Sequence, residues 1–242
     1  MKYLNLLFFV LMVVTNYLAN ALPINDKTTG ELSAQYPNLF VPAGITFSIW
    51  GVIYLLLAAF VVLQFREQNK AIVDAIGWGF AISSLLNASW ILAWHYERLP
   101  LSLLIMLGLL ASLIYINLQL RGFVPGIIRA AFGIYLGWVA IATIANVTAL
   151  LVHYNWGGWG LSDVTWAITM ILAGLVITAL ALYQLRNPYL GLAVIWAFIG
   201  IYLNRQADYP PIAITAMVAA AVMAAVTLWS FIRQLSGPYQ GS

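Results

Sequence analysis

Eight apolar segments make up most of this chain, and they restrict it to one class of fold. The segments cover residues 3–22, 43–65, 71–95, 100–120, 127–153, 164–186, 189–204 and 211–234. A helix needs roughly 20 apolar residues to cross a bilayer, and only the seventh segment is clearly shorter. Charged residues make up 7% of the chain, against about 25% in a soluble domain. The sequence therefore predicts an all-α integral membrane protein, a polytopic helical bundle with about eight spans.

The positions of lysine and arginine predict how this bundle is oriented. With eight crossings and both termini inside, the inner side carries Lys2, Arg66, Lys70, Arg121, Arg129, Arg186 and Arg233. The outer side then carries Lys27, Arg98 and Arg205. Because the excess of positive charge lies on the cytoplasmic side, we expect an N-in, C-in protein. This bias and the sparse loop charge favour a multi-pass protein of the bacterial cytoplasmic (inner) membrane, with membrane lipid as its surroundings.

The first segment leaves two alternatives open. Lys2 precedes it and Ala19-Asn20-Ala21 ends it, so residues 1–21 are either a retained helix or a cleaved signal peptide. Both alternatives place residues 23–42 outside. Loops of this length are often functional, and we interpret this one as a lid over the outer end of the bundle.

Several classes of function are disfavoured by the distribution of polar residues. The ten Lys and Arg residues are scattered, so no basic patch for nucleic acid exists. No acidic residue falls at mid-membrane, which disfavours an ion-coupled pump. His95 and His153 lie at outer helix ends without nearby carboxylates, and we expect them to be interfacial rather than metal ligands. No hydrolase, phosphate-loop or zinc motif is present, so the chain is not expected to be an enzyme.

Aromatic and amide side chains form stripes on three predicted helices. The stripes consist of Phe47, Trp50 and Tyr54; Asn87, Trp90 and Trp94; and Tyr135, Trp138, Ala142 and Asn146. Trp50, Asn87 and Asn146 lie about seven or eight residues from the outer ends of their segments, a common depth of about 10–12 Å. Two interpretations remain open. The stripes line a pocket for a flat ligand, or the asparagines hold neighbouring helices together.

These stretches resemble the tryptophan-rich sensory protein / translocator protein family, also called peripheral-type benzodiazepine receptors. The matching positions are Pro42, Gly44, Phe47, Trp50 and Tyr54; Leu86, Asn87 and Trp90; and Tyr135, Leu136, Trp138, Ala142 and Asn146. Their order and spacing hold over roughly residues 1–153. Ile45 stands where the family has Trp, and Ile134 where it has Pro. We therefore expect the pocket to keep the family's position but to differ in the ligand that it holds.

The resemblance implies a five-helix core over residues 1–153, with residues 154–242 as an additional three-helix segment packed on it. It also implies a cavity under the 23–42 lid, with Trp50, Asn87, Trp138 and Asn146 in its wall. Family ligands are porphyrins, haem and sterols, so the expected partner is a hydrophobic small molecule. No cofactor is expected to be required.

Three functions stay open on this basis. The first is a membrane sensor or transporter for a hydrophobic aromatic molecule, most closely a tetrapyrrole or a sterol-like ligand. The second is a secondary transporter or channel of unknown substrate. The third, implied by the resemblance, is light-dependent porphyrin degradation. The oligomeric state is either monomer or homodimer, and the last three helices could cover a dimerisation face.

Overall fold

The computed structural model describes residues 1–22 and 24–236, and within these ranges the secondary structure is helical, without strands. The α-helices are α1 Lys2–Ala21, α2 Thr29–Ala34, α3 Ile49–Leu63, α4 Lys70–Ile76, α5 Gly79–His95, α6 Leu99–Gln119, α7 Ile127–His153, α8 Asp163–Leu185, α9 Tyr189–Arg205 and α10 Pro210–Ser236. Short 3-10 turns cover Ile24–Asp26, Gly44–Ser48, Glu67–Asn69, Leu120–Gly122 and Gly158–Gly160. This all-helical membrane fold confirms the predicted fold class.

Each of the eight predicted segments contains a long helix, but not all of these could cross a membrane alone. Six candidate spans are long and apolar enough by themselves. The pair α4 and α5 could form a seventh span, bent by 60°, whereas α9 is a shorter apolar helix of 17 residues. The prediction of one unbroken segment over 71–95 is wrong, because Gly77 adopts φ 54° and ψ −132° and ends α4. Glycine reaches this backbone region without the steric cost of a Cβ atom.

Five of the helices form a ring. In ring order, α1 packs on α5, α5 on α6, α6 on α7, and α7 on α3. The ring closes between α3 and α1, where the two helices make fewer contacts than the other neighbouring pairs.

The last three helices form a layer on the outside of α7. Helix α9 lies in the middle of this layer, between α7 and α10, and α8 packs chiefly on α10. The approach of α9 to α7 is close: a Cβ atom added at Gly137 would lie 2.2 Å from the Leu190 carbonyl oxygen. Small residues allow such contacts between membrane helices.

A buried amide network also joins this layer to the ring, at the end of the bundle opposite the lid. The side-chain nitrogen of Asn187 donates to the Asn117 side-chain oxygen at 2.7 Å and to the Arg129 carbonyl at 2.9 Å. The buried Arg129 guanidinium in turn donates to the Arg186 carbonyl at the turn between α8 and α9. Because polar groups in an apolar interior need partners, this network fixes the turn against α6 and α7.

Candidate ligand-binding site

A small cavity of about 60 Å³ lies inside the ring, between α3, α5 and α7 and beneath the lid. It is lined by Thr29, Ser33, Asn38, Val41, Pro42, Phe47, Trp50, Trp90, Trp94, Trp138, Ile141, Ala142, Ala145, Asn146 and Ala149. Seven of these, from Phe47 to Asn146, belong to the aromatic and amide stripes predicted from the sequence. The stripes of three helices therefore converge on one place.

Stacked aromatic rings form one wall of the cavity and continue beyond it. The Trp50 ring stacks on Tyr54, with centroids 5.7 Å apart, and on Trp90, at 6.2 Å. Trp90 stacks in turn on Trp94 at 6.2 Å, and Trp138 meets Trp50 edge-on at 6.3 Å. Residues four apart on a helix lie one turn apart on the same face. The pair Trp50 and Tyr54 on α3 and the pair Trp90 and Trp94 on α5 therefore form one aromatic column.

The cavity wall also carries buried polar groups that have no partner among the described residues. These are the indole nitrogens of Trp90, Trp94 and Trp138 and the side-chain oxygen of Asn146. A buried polar group without a partner costs about 1–3 kcal/mol, and most buried polar groups in folded proteins are paired. None of the described lining residues is charged. Three donors and one acceptor on the lining residues are thus buried without a partner among the described residues.

The two predicted asparagines, Asn87 and Asn146, differ in their hydrogen bonding. Asn87 is fully paired, since its oxygen accepts from Asn16 of α1 at 2.7 Å and its nitrogen donates to the Tyr135 hydroxyl at 2.8 Å. Neither Asn87 nor Tyr135 is among the residues that line the cavity, so their role in ligand binding stays a prediction. Asn146 donates to Ser102 at 2.9 Å and leaves its oxygen unused.

A groove with a volume of about 610 Å³ runs along the seam between α1 and α3. It contains Tyr54, the remaining predicted site residue, and polar residues of α1 such as Asn16 and Asn20. Thr29, Phe47 and Trp50 line both the groove and the cavity. The side chains of these residues therefore form the partition between the two spaces.

The first half of the lid folds over the end of α5 and buries His95. The imidazole Nδ1 donates to the Ile24 carbonyl at 3.1 Å, and the Thr29 hydroxyl lies 3.1 Å from Nε2. The Asn25 side chain donates to the His95 carbonyl at 3.2 Å. The lid covers the His95 ring completely, so this histidine is buried at its helix end, and its interfacial position stays a prediction. Among the described residues, no group of three or more potential ligands could hold a metal ion.

An ion pair also holds this half of the lid. Lys27 lies 2.7 Å from the Glu97 carboxylate, and the Tyr36 hydroxyl donates to the same carboxylate at 3.1 Å. Lys27 is the main reason why the pKa of Glu97 is lowered, with Tyr36 adding to this effect and burial opposing it. Burial of Tyr36, together with its bond to Glu97, raises the pKa of the Tyr36 hydroxyl to about 12.

Acid should loosen this half of the lid. Since the folded pKa of Glu97 lies below its ordinary value of 4.5, the contact stabilises the lid above that value and is lost as the pH falls through the folded pKa. The chain has no cysteine, so a spin label at Ala34→Cys reports on the lid alone. We expect its mobility to rise in acid, and to be high and independent of pH in a Glu97→Gln variant. An equal response to acid in both proteins would contradict this assignment.

The second half of the lid is held by α9. Arg205 donates to the carbonyl oxygens of Leu39 and Asn38 at 3.0 and 2.9 Å, and Asn204 donates to the Val41 carbonyl at 2.9 Å. Because Asn38 and Val41 line the cavity, α9 positions part of the cavity wall. The sequence gives a weak signal for this role, a polar Asn-Arg pair at the end of an apolar helix.

Helix α9 also holds the chain just before the start of α3. The indole nitrogen of Trp196 donates to the Thr46 carbonyl at 2.8 Å, and the Ala43 amide donates to the Gly200 carbonyl at 2.9 Å. By contrast, Ile45 is 64% exposed and is not among the cavity-lining residues. The described cavity wall therefore does not include position 45, and the effect of this departure on the ligand stays a prediction.

The fold and the site together define a polytopic helical membrane protein with a tryptophan-rich cavity closed by a loop that connects its first two long helices. The chain belongs to the TSPO-like protein family, whose sequence model matches residues 2–229. The match includes the last three helices as well as the ring. Neither a curated protein nor a solved structure matched the chain.

Proposed function

We propose that this protein binds a flat, hydrophobic small molecule, a tetrapyrrole or a sterol-like compound, in the cavity beneath the lid, and acts as its membrane sensor or carrier. The observation that supports this most is the set of buried, unsatisfied groups on the wall, three indole N–H groups and the Asn146 oxygen. Apolar pockets with a few convergent polar groups are typical of small-molecule sites. The stacked rings add flat aromatic surface.

The size of the cavity requires a rearrangement when such a ligand enters. Small-molecule sites commonly measure about 300–1,000 Å³, far more than the 60 Å³ of this cavity. Because Trp50 and Phe47 stand between the cavity and the groove along α1 and α3, rotation of these two side chains would join both spaces. A ligand of the membrane phase would then enter from the side and replace Trp50 in the aromatic column.

The uncharged wall predicts which part of a tetrapyrrole lies inside. An ionised carboxylate is costly to bury without a cation, and no charged residue is among those described as lining the cavity. Propionate groups would therefore stay at the mouth, with the ring in the cavity. We expect protoporphyrin IX dimethyl ester to bind at least as tightly as the free acid.

Titration of the purified protein with protoporphyrin IX in the dark tests the proposal. Binding is followed by the quenching of tryptophan fluorescence. Trp138→Phe keeps an aromatic ring but removes the N–H donor, and we expect it to weaken binding about 5–100-fold, since a lost pairing costs about 1–3 kcal/mol. Asn146→Leu should act in the same direction. Trp229→Phe, on the exposed side of α10, serves as the control and should bind normally.

Unchanged affinity in both cavity variants would overturn the proposed site. Absorption spectra of the ligand recovered after illumination would show whether the porphyrin is degraded, and uptake into proteoliposomes would show whether it is transported. Neither degradation nor transport needs a titratable acid or base. The residues described as lining the cavity include no such group.

A further inference from the structure

A second pocket lies at the lid end of the bundle, outside the ring and between α7, α8 and the lid. Its volume is about 330 Å³, within the usual range for small-molecule sites. The wall combines the lid segment 37–40, the outer end of α7, the loop that follows it and the start of α8. None of its described lining residues is a predicted site residue, and Asn38 is the one residue that it shares with the cavity described above.

The only charged residue among those described as lining this pocket is Asp163. Its carboxylate makes no ion pair or side-chain hydrogen bond with the described part of the chain. Its place in the first turn of α8 is favourable by itself, because acidic groups stabilise helix N-termini. Asp163 is exposed, and no cationic side chain is among the residues described as lining the pocket with it.

Two tryptophan rings are the second feature of this wall. Trp156 and Trp166 both line the pocket, with ring centroids 5.0 Å apart. Leu151 and Met170 complete an apolar floor. Tryptophan is the side chain that attracts organic cations most strongly through its ring face. A carboxylate and two indoles packed edge-on beside an apolar space favour a cation with a small organic body over an anion.

The loop that carries Trp156 is held in a defined shape before any ligand binds. The Trp166 indole nitrogen donates to the Gly158 carbonyl at 2.8 Å. Asn155 and Trp159 both adopt a left-handed backbone with φ of 50°, a conformation that costs a non-glycine residue of order 1–3 kcal/mol and that clusters at functional sites. The hydrogen bond from Trp166 thus maintains a strained loop next to the pocket.

We propose that this pocket binds a quaternary ammonium group, carried either by a free small molecule or by the headgroup of a lipid. Asp163 balances the charge, while Trp156 and Trp166 contact the methyl groups of the ammonium. Arg205, which contacts the lid segment of this wall, is engaged with the carbonyl groups of Asn38 and Leu39 and is not itself part of the wall.

Isothermal titration with choline tests this proposal on the full-length protein in phosphatidylglycerol nanodiscs. We expect one choline per chain, and at least tenfold weaker binding of dimethylbutanol, in which carbon replaces the ammonium nitrogen. Because Asp163 is exposed, Asp163→Asn should weaken choline binding about 2–5-fold, and Trp156→Leu about 3–30-fold. Asp26→Asn removes an exposed carboxylate elsewhere on the lid and should leave the affinity unchanged.

Nanodiscs that contain phosphatidylcholine distinguish the two sources of the ligand. Competition between this lipid and free choline would identify the headgroup as the occupant, and undiminished choline binding would identify a free molecule. Equal affinity for choline and dimethylbutanol would overturn the proposal. So would an Asp163→Asn variant with a lower melting temperature but unchanged choline affinity, because the carboxylate would then serve only the helix.

Discussion

A Gly137→Ala variant is expected to lose the packing of α9 on α7 and to be strongly destabilised. The new Cβ atom would lie 2.2 Å from the Leu190 carbonyl oxygen and 3.1 Å from the Ala193 Cβ atom. The first contact is with backbone, so no rotamer change relieves it, and α9 has to move as a whole. Overpacking of this kind costs about 1–3 kcal/mol or more, which corresponds to a melting temperature lower by about 2–12 °C for a chain of this size.

Thermal unfolding followed by intrinsic tryptophan fluorescence measures this effect in detergent. Gly51→Ala provides the matched control, because no heavy atom lies within 4 Å of a Cβ atom built at that helical position. We expect Gly51→Ala to melt like the unmodified protein or slightly higher, since alanine favours helix over glycine. If Gly137→Ala also kept the original melting temperature, the described contact between α7 and α9 would be incorrect.

The fold could be predicted from the sequence as far as its features are local. Hydropathy located all eight segments because each must be apolar by itself to lie in a membrane. The break at Gly77 was missed, since glycine is common inside membrane helices and its φ of 54° depends on the surrounding structure. A small residue such as Gly137 allows a close helix contact but does not specify its partner, which here is the backbone at Leu190.

The two asparagines of the predicted site also show that a local pattern does not specify the partner of a side chain. Asn87 and Asn146 have the same local signal, an amide inside an apolar helix at a similar depth. The structure pairs Asn87 with Asn16 on α1 and with Tyr135 on α7, whereas the Asn146 oxygen stays unsatisfied. Only the neighbouring helices decide between helix association and ligand contact. The lid residues in the wall, such as Ser33, have no periodic pattern and could not be predicted individually.

Replacing Arg205 by methionine is expected to release the second half of the lid and weaken ligand binding. The substitution removes two hydrogen bonds to the carbonyl oxygens of Asn38 and Leu39 but keeps most of the apolar side-chain stem. Hydrogen bonds that involve a charged group contribute about 1.5–3 kcal/mol each. We discount this for the partial exposure of Arg205 and expect the open population of the lid to rise about 10–100-fold.

Hydrogen–deuterium exchange of the peptide that contains residues 37–43 measures this opening, and its most informative amide is that of Ala43, which is bonded to Gly200. Arg205→Lys retains the charge and fewer donors, so its exchange rate should lie between those of the other two proteins. Arg98→Met is the matched control, because the exposed Arg98 side chain makes no hydrogen bond or ion pair within the described residues.

The two outcomes of this experiment separate two ways in which the lid can work. If α9 holds the lid for the ligand, Arg205→Met should exchange faster and bind protoporphyrin IX more weakly, while Arg98→Met changes neither property. Faster exchange with unchanged affinity would mean that the lid's second half does not contribute to binding, and that access through the seam between α1 and α3 determines affinity. Unchanged exchange would show that Asn204 and Trp196 hold the segment without Arg205.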